Sequence, residues 1–104
     1  MLRAARAAAC ALLACAALST AVQAQQRETI SFESRQKGQP VRVTAEITWP
    51  ANATAPVPAM VIHHGSGGVG EREARYVREL TPMGIATVVI DSFKPRGVTS
   101  TVLD

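Results

Sequence analysis

Cysteine is almost absent from this 104-residue sequence, and both copies, Cys10 and Cys15, lie within the first 24 residues. Those residues have the pattern of a secretory signal peptide: a basic start, a short apolar run and small residues before Ala24, after which we expect cleavage. The remaining chain, residues 25–104, would then contain no cysteine. This excludes a disulfide, a thiolate metal site and a catalytic cysteine within it, and we expect a secreted or periplasmic protein.

A long apolar run is also missing. Residues 7–18 are too few to span the roughly 30 Å hydrocarbon core of a bilayer, so we expect no stable membrane association once the signal has been removed. Two alternatives stay open at this end of the chain. One is an uncleaved anchor, and the other is lipidation at Cys15, because residues 12–15 faintly resemble a bacterial lipoprotein cleavage site.

An excess of one charge is missing as well. The formal net charge of +3 falls to +1 without Arg3 and Arg6, since nine Lys and Arg then stand against eight Asp and Glu. Such a balance gives no argument for a nucleic-acid partner. Residues 25–104 can form only a small core. Because no closing element follows, we expect this sequence to be part of a longer protein.

Two stretches, residues 28–34 and 41–49, alternate between apolar and polar residues, as strands with one solvated face do. The polar segment between them, residues 35–40, contains Gly38 and Pro40 and is typical of a turn. The sequence therefore predicts an antiparallel hairpin in the first half of the mature chain.

The second half predicts a strand, a helix and a strand. Residues 59–63 and 85–90 are continuous apolar runs, as expected of strands that are covered on both faces. Residues 71–83 have helical periodicity with a solvated arginine-rich face, and Pro82 and Gly84 end the helix. Such a unit is parallel and right-handed. The predicted fold class is therefore α/β, a hairpin followed by a parallel strand–helix–strand unit.

The loop before the helix, residues 63–71, reads HHGSGGVGE and is compatible with two functions. Its glycines at 65, 67 and 70 have the G-x-G-x-x-G spacing of a dinucleotide-binding loop. Asp91 ends the next strand, 21 residues after the last of them, where an acidic residue would hold a ribose hydroxyl.

Four features weigh against a nucleotide. A hairpin precedes the parallel unit, His63 and His64 stand where small or apolar residues are preferred, and a secreted chain meets little NAD. Glu71 and Glu73 would also repel a pyrophosphate at the start of the helix.

The ordered set of segments resembles the α/β-hydrolase superfamily, and within it the dienelactone hydrolase-like family. The resemblance covers roughly residues 41–104 and rests on "PAMVIHHGSGG", "PMGIATVVIDSF" and "DSFKPRGV". It implies that the chain is the N-terminal part of an α/β-hydrolase sheet, and that the sheet is incomplete. It also implies that the His-Gly loop after the third strand carries an oxyanion hole.

The resemblance places one oxyanion donor at the backbone N–H of Ser66, with Gly67 as the second candidate, and gives Gly65 a role in loop geometry. Backbone amides suit this task because they are fixed donors. We interpret His64 as a hydrogen-bonding brace of the loop rather than a catalytic base. Adjacent histidines at a strand end should point to opposite faces, which makes them poor joint ligands for a metal. Dienelactone hydrolases have a glutamate in this loop where this chain has Ser66, which is a departure from the family.

No residue fits the nucleophile. A G-x-S-x-G elbow around Ser66 would need a glycine where His64 stands, and Ser92, Ser100 and Thr101 have no elbow glycines either. The resemblance implies that nucleophile, acid and base lie later than this chain.

The sequence thus predicts a secreted hydrolase that acts on small-molecule esters or lactones by nucleophilic acyl transfer, without cofactor or metal. Two alternatives stay open: a Rossmann-type nucleotide-binding domain that uses residues 65–70, and a non-catalytic secreted binding domain on a hydrolase scaffold. We expect the chain alone to be inactive, and unstable or prone to aggregate.

Overall fold

The structure is a computed structural model that describes residues 25–54 and 56–102. The predicted signal peptide, its cleavage after Ala24 and the alternative of lipidation at Cys15 lie outside the described residues.

Four strands and one α-helix make up the described fold. In chain order they are β1 (Arg27–Gln36), β2 (Gln39–Thr48), β3 (Ala59–His63), α1 (Glu71–Leu80) and β4 (Ala86–Asp91), with 3-10 turns at Thr81–Met83 and Lys94–Arg96. The strands form one mixed sheet in the order β1-β2-β4-β3, in which only β3 and β4 are parallel. The predicted fold class, a hairpin followed by a parallel strand–helix–strand unit, is confirmed.

The hairpin turn is tighter than predicted. Both strands continue through most of residues 35–40, and Gln36 pairs with Gln39. Only Lys37 and Gly38 remain in the turn, and their φ angles of 50° and 79° are both positive, as a type I′ turn requires. This turn type has the twist of the strands it joins, so pairing extends up to it.

The predicted alternation holds along β2, with one exception. Val43 and Ala45 are buried. Thr48, which the alternation places on the solvated face, is also buried, and it lies directly opposite the buried Thr87 of β4. The reason is that α1 covers this side of the sheet, where its Val77 adjoins the same cavity as Val89.

The third strand differs from the prediction. A run as apolar as β3 was expected to be covered on both faces, yet Met60 is 46% exposed and Val61 62% exposed. Among the described strands β3 pairs only with β4, so it forms an edge of the sheet. β3 therefore has more apolar side-chain surface than its contacts in the described fold bury.

The helix is one turn shorter than predicted, because the chain tightens into the 3-10 turn Thr81–Met83 and Gly84 ends it with a φ of 80°. Only part of the helix's apolar face is buried. Ala74, Val77 and Leu80 are half-buried, whereas Tyr76 and Met83 are exposed.

The outer face of α1 carries ion pairs between exposed side chains. Arg75 binds Glu79 at 2.7 Å, and Arg78 binds Glu71. Glu71 and Arg75, which stand four residues apart, thus each pair with a different residue. The arginines are solvated and paired, so this face does not form a phosphate site. Nowhere in residues 25–54 and 56–102 is there a helix with the length and apolar character needed to cross a bilayer.

Candidate active site

Two loops meet where the parallel strands β3 and β4 end. We call residues 64–70, between β3 and α1, the glycine loop, and residues 92–102, after β4, the exit segment. Because β3 and β4 are parallel neighbours, both connections leave the sheet at the carboxyl ends of these strands. Hydrogen bonds between the two loops then determine how the backbone of the glycine loop is oriented.

His64 is the buried link between these loops. Its Nδ1 lies 2.8 Å from the carbonyl oxygen of Gly65, and its Nε2 lies 3.1 Å from the backbone nitrogen of Ser92. A carbonyl only accepts and a backbone N–H only donates, so Nδ1 carries the proton and Nε2 is the acceptor. The ring also contacts Phe93 edge-on, with centroids 4.4 Å apart. These contacts hold the neutral Nδ1–H tautomer and attach the start of the glycine loop to the end of β4.

The side chain of Ser92 lies close enough to His64 to raise the question of a nucleophile–base pair. Its Oγ is 3.0 Å from Nε2, within the reach such a pair needs. The Nε2 lone pair, however, also receives the Ser92 N–H. Neither residue lines any of the three described cavities that adjoin the glycine loop. The geometry therefore favours a structural contact over a catalytic one.

The peptide between Gly65 and Ser66 is held from its carbonyl side. The Gly65 oxygen accepts from His64 Nδ1 and, at 3.0 Å, from the Gly68 N–H. In a planar trans peptide the N–H points opposite to the C=O. The Ser66 N–H consequently points away from the His64 ring, and no acceptor for it lies among the residues that the structure describes.

The next peptide, between Ser66 and Gly67, is held in the same manner by the exit segment. The Ser66 oxygen accepts from the Thr101 N–H at 2.8 Å and from Ser100 Oγ at 3.3 Å. Its other end, the Gly67 N–H, points away from the exit segment and also has no acceptor within the described part of the chain. Both predicted donor residues thus lie in peptides whose orientation is fixed and whose N–H groups remain available.

Two cavities adjoin these amides. One, of about 400 Å³, lies between the glycine loop and the start of α1 and is lined by both Ser66 and Gly67. The other, of about 350 Å³, lies between the loop and the exit segment and is lined by Gly67, Phe93 and Lys94 among others. Gly67 therefore borders both cavities, whereas Ser66 borders one.

Glu73 caps the N-terminus of α1 through its side chain. Its Oε2 accepts the Gly70 N–H at 2.8 Å, and its Oε1 accepts from Arg72 at 3.0 Å. Burial raises the pKa of the Glu73 carboxyl, but the backbone N–H groups of Gly70 and Glu73 and the Arg72 guanidinium outweigh burial, so the pKa lies below its ordinary value. A carboxylate thus already occupies a helix N-terminal amide that a pyrophosphate would use.

Gly68, for which the sequence predicted no role, is the glycine that both its backbone conformation and its neighbours require. Its φ is 78°, and a Cβ there would lie 3.1 Å from the Thr99 carbonyl oxygen and 3.4 Å from the Phe93 ring. At Gly67 a Cβ would meet nothing within 4 Å, and at Gly65 it would meet only the flexible end of Arg72 at 3.2 Å. Gly68 is therefore required for the close approach of the exit segment.

The two histidines are arranged differently from the expectation that they point to opposite faces. Their rings stack with centroids 4.9 Å apart, and His63 Nδ1 donates to the His64 carbonyl at 2.8 Å. The reason is that β3 ends at His63, so His64 follows the loop rather than the strand pleat. In the described ranges no group of three or more His, Cys, Asp or Glu side chains could hold a metal ion.

Asp91 caps the turn that follows β4. Its Oδ1 accepts from the backbone N–H groups of Phe93 at 3.0 Å and Lys94 at 2.9 Å. This fixes the start of the exit segment beside the glycine loop.

No protein-family model matches the sequence, and no curated protein matches it either. Among solved structures, the chain is similar to a "putative carboxylesterase" from Lactobacillus plantarum, with 21% identity and a TM-score of 0.41. The similar region covers 65% of this chain and 28% of that one, so this chain spans little more than a quarter of its length.

Proposed function

We propose that this chain carries the oxyanion loop of a hydrolase that acts on ester or lactone bonds of small molecules by nucleophilic acyl transfer. The observation that carries the proposal is the pair of consecutive peptides whose carbonyls, at Gly65 and Ser66, are each held by two donors. Their N–H groups, at Ser66 and Gly67, are thereby oriented and left without a described acceptor. Oriented amides stabilise a developing oxyanion without any reorganisation during the reaction.

Four residues of the glycine loop have roles in this proposal. The Ser66 N–H is the first donor and the Gly67 N–H the second candidate. Gly65 supplies the carbonyl that His64 holds, and His64 braces the loop against Ser92. A further oxyanion donor would follow the nucleophile, as in hydrolases with a nucleophile elbow.

The nucleophile, acid and base belong, in this proposal, to residues outside this chain. Ser92, whose Oγ lies 3.0 Å from His64 Nε2, shares that acceptor with its own backbone N–H. The dienelactone hydrolase-like family is the proposed relationship, with Ser66 in place of the family's glutamate. The proposed location is the periplasm or the exterior, after removal of residues 1–24, without a nucleic-acid partner.

The nucleotide-binding alternative has the glycine spacing and the position of Asp91 in its favour, but Asp91 Oδ1 caps the turn after β4. The carboxylate of Glu73 occupies the Gly70 N–H, and it is paired with Arg72. No feature of the described residues favours the third alternative, a non-catalytic binding domain, over the hydrolase.

The test compares the 104-residue chain with the complete gene product, using a p-nitrophenyl ester and a simple lactone as substrates. We expect the chain alone to be inactive and the complete product to hydrolyse one of these substrates through a serine or cysteine in a G-x-[SC]-x-G elbow. Substituting Ser66→Pro removes the N–H donor and should lower kcat by about 10²- to 10³-fold with little change in KM.

The matched control is Ser66→Ala, which keeps the N–H and should retain wild-type kcat. Turnover by the chain alone would contradict the proposal. So would a complete gene product without an elbow or without activity, and so would equal kcat values for the proline and alanine variants.

A further inference from the structure

The exit segment contacts the glycine loop at the peptide between the two donor candidates. The Thr101 N–H donates to the Ser66 carbonyl at 2.8 Å, and Ser100 Oγ donates to the same oxygen at 3.3 Å. Ser100 Oγ is itself fixed, because it accepts from the Val102 N–H at 3.2 Å. The oxygen of one loop peptide is thus held by two residues more than thirty positions away in the chain.

This contact is independent of the one that His64 makes. His64 and the Gly68 N–H hold the carbonyl of Gly65, which determines the direction of the Ser66 N–H. Thr101 and Ser100 hold the carbonyl of Ser66, which determines the direction of the Gly67 N–H. The two donor candidates are therefore positioned by different parts of the molecule.

The packing around Gly68 keeps the exit segment close to the loop. The Thr99 carbonyl lies where a side chain on residue 68 would have to go. Because Gly68 leaves that space open, the segment can approach near enough for Thr101 to reach Ser66. Gly67 then borders the cavities on both sides of the loop.

We infer that Thr101, through its backbone N–H, is a positioning residue for the Gly67 N–H, and that the exit segment thereby supplies the orientation of one oxyanion donor. The role of that donor rests on the proposed function, whereas the orientation itself does not. The side chain of Thr101 takes no part in this contact, so the substitution that matters is one that removes the amide hydrogen.

The first experiment is an NMR comparison of Thr101→Pro with Thr101→Ala in the complete gene product, labelled with ¹⁵N at its glycines, seven of which lie in these 104 residues. Loss of the hydrogen bond changes the polarisation of the Ser66–Gly67 peptide. The Gly67 amide signal should therefore shift in Thr101→Pro and should lose order on the picosecond–nanosecond timescale. In Thr101→Ala it should stay at the wild-type position. Gly38, in the distant hairpin turn, is the internal control and should not move in either variant.

Ser100→Ala guards against a proline variant that fails to fold. It removes the second, longer hydrogen bond to Ser66 and should shift the Gly67 signal in the same direction by a smaller amount. The inference is overturned if Gly67 is unaffected by both Thr101→Pro and Ser100→Ala, or if Thr101→Ala moves it as far as proline does. A wild-type Gly67 signal at the random-coil position would overturn it too.

The second experiment measures kcat and KM for the same variants in the complete gene product. If Gly67 is an oxyanion donor, Thr101→Pro should lower kcat by at least tenfold at nearly constant KM, and Thr101→Ala should not. A shifted Gly67 signal without a kcat effect would leave Thr101 as the positioning residue and refute the catalytic role of Gly67. A kcat loss without a shifted signal would refute the positioning mechanism itself.

Discussion

Replacing Gly68 by alanine should destabilise the fold, whereas the same change at the adjacent Gly67 should not. Gly68 has a left-handed φ of 78°, and such a conformation costs a residue with a Cβ roughly 1–2 kcal/mol. The new Cβ would lie 3.1 Å from the Thr99 carbonyl oxygen. That oxygen is backbone and cannot rotate away, so overpacking adds roughly 1 kcal/mol or more.

One effect acts in the opposite direction. Alanine has less conformational freedom than glycine in the unfolded chain, which favours folding by roughly 0.4–1 kcal/mol. The net loss for Gly68→Ala is therefore about 1–3 kcal/mol, a large share of the stability of a small domain. At Gly67 a Cβ would meet nothing within 4 Å, so the effect on the unfolded chain acts alone and Gly67→Ala should raise stability by up to about 1 kcal/mol.

Urea denaturation of the two variants in the complete gene product, followed by far-UV circular dichroism at low micromolar concentration, measures this difference. We expect a lower midpoint for Gly68→Ala with an unchanged m-value, and a midpoint at or slightly above that of the wild type for Gly67→Ala. Equal midpoints for both variants, or a larger loss at Gly67, would refute the described approach of the exit segment to the loop.

Two further predictions concern buried polar side chains. The pKa of the Glu73 carboxyl is lower in the folded protein than its ordinary value of 4.5. The carboxylate therefore stabilises the fold at pH values above 4.5, and this contribution is lost as the pH falls through the lower folded pKa. Glu73→Gln should therefore cost about 1 kcal/mol at pH 7 and flatten the acid limb of stability against pH, and an unchanged acid limb in urea titrations would contradict this. The Thr87 hydroxyl is buried without a hydrogen-bond partner among the described residues, so Thr87→Val should raise the urea midpoint by the equivalent of up to about 1 kcal/mol, and a clear loss of stability would contradict the assignment.

The fold could be predicted from local patterns because each element has its own periodicity. The alternation of the hairpin, the apolar run of β3 and the amphipathic residues of α1 are properties of short windows of sequence. β3 was predicted with the bounds that the structure shows, Ala59–His63. A short window of sequence does not show which other parts of the chain pack against it. The exposure of Val61 and the burial of Thr48 depend on strand order and on the face that α1 covers.

The same limit applies to the candidate site. The sequence pointed to the glycine loop and to His64, but the partners that orient the loop are far away in the chain. Ser92 lies 28 residues from His64, and Ser100 lies 34 residues from Ser66. These contacts form only because β4 pairs in parallel with β3, so that both connections begin at the carboxyl ends of neighbouring strands. The backbone atoms involved also leave no trace in residue types, so no motif could have indicated Thr101.

The glycine spacing is the feature whose meaning the structure changes most. Of the pattern glycines, Gly70 has an extended backbone that any residue adopts, and its N–H is occupied by Glu73. Gly67 is the one at which open space for a Cβ coincides with an amide that has no described acceptor. A pyrophosphate needs several free amides at the start of the helix, whereas an oxyanion is a single atom that one or two oriented amides can bind. In the proposed function, a glycine at position 67 leaves room for a reacting group to approach such an amide. Gly68, outside the pattern, lets the exit segment hold the Ser66–Gly67 peptide in place.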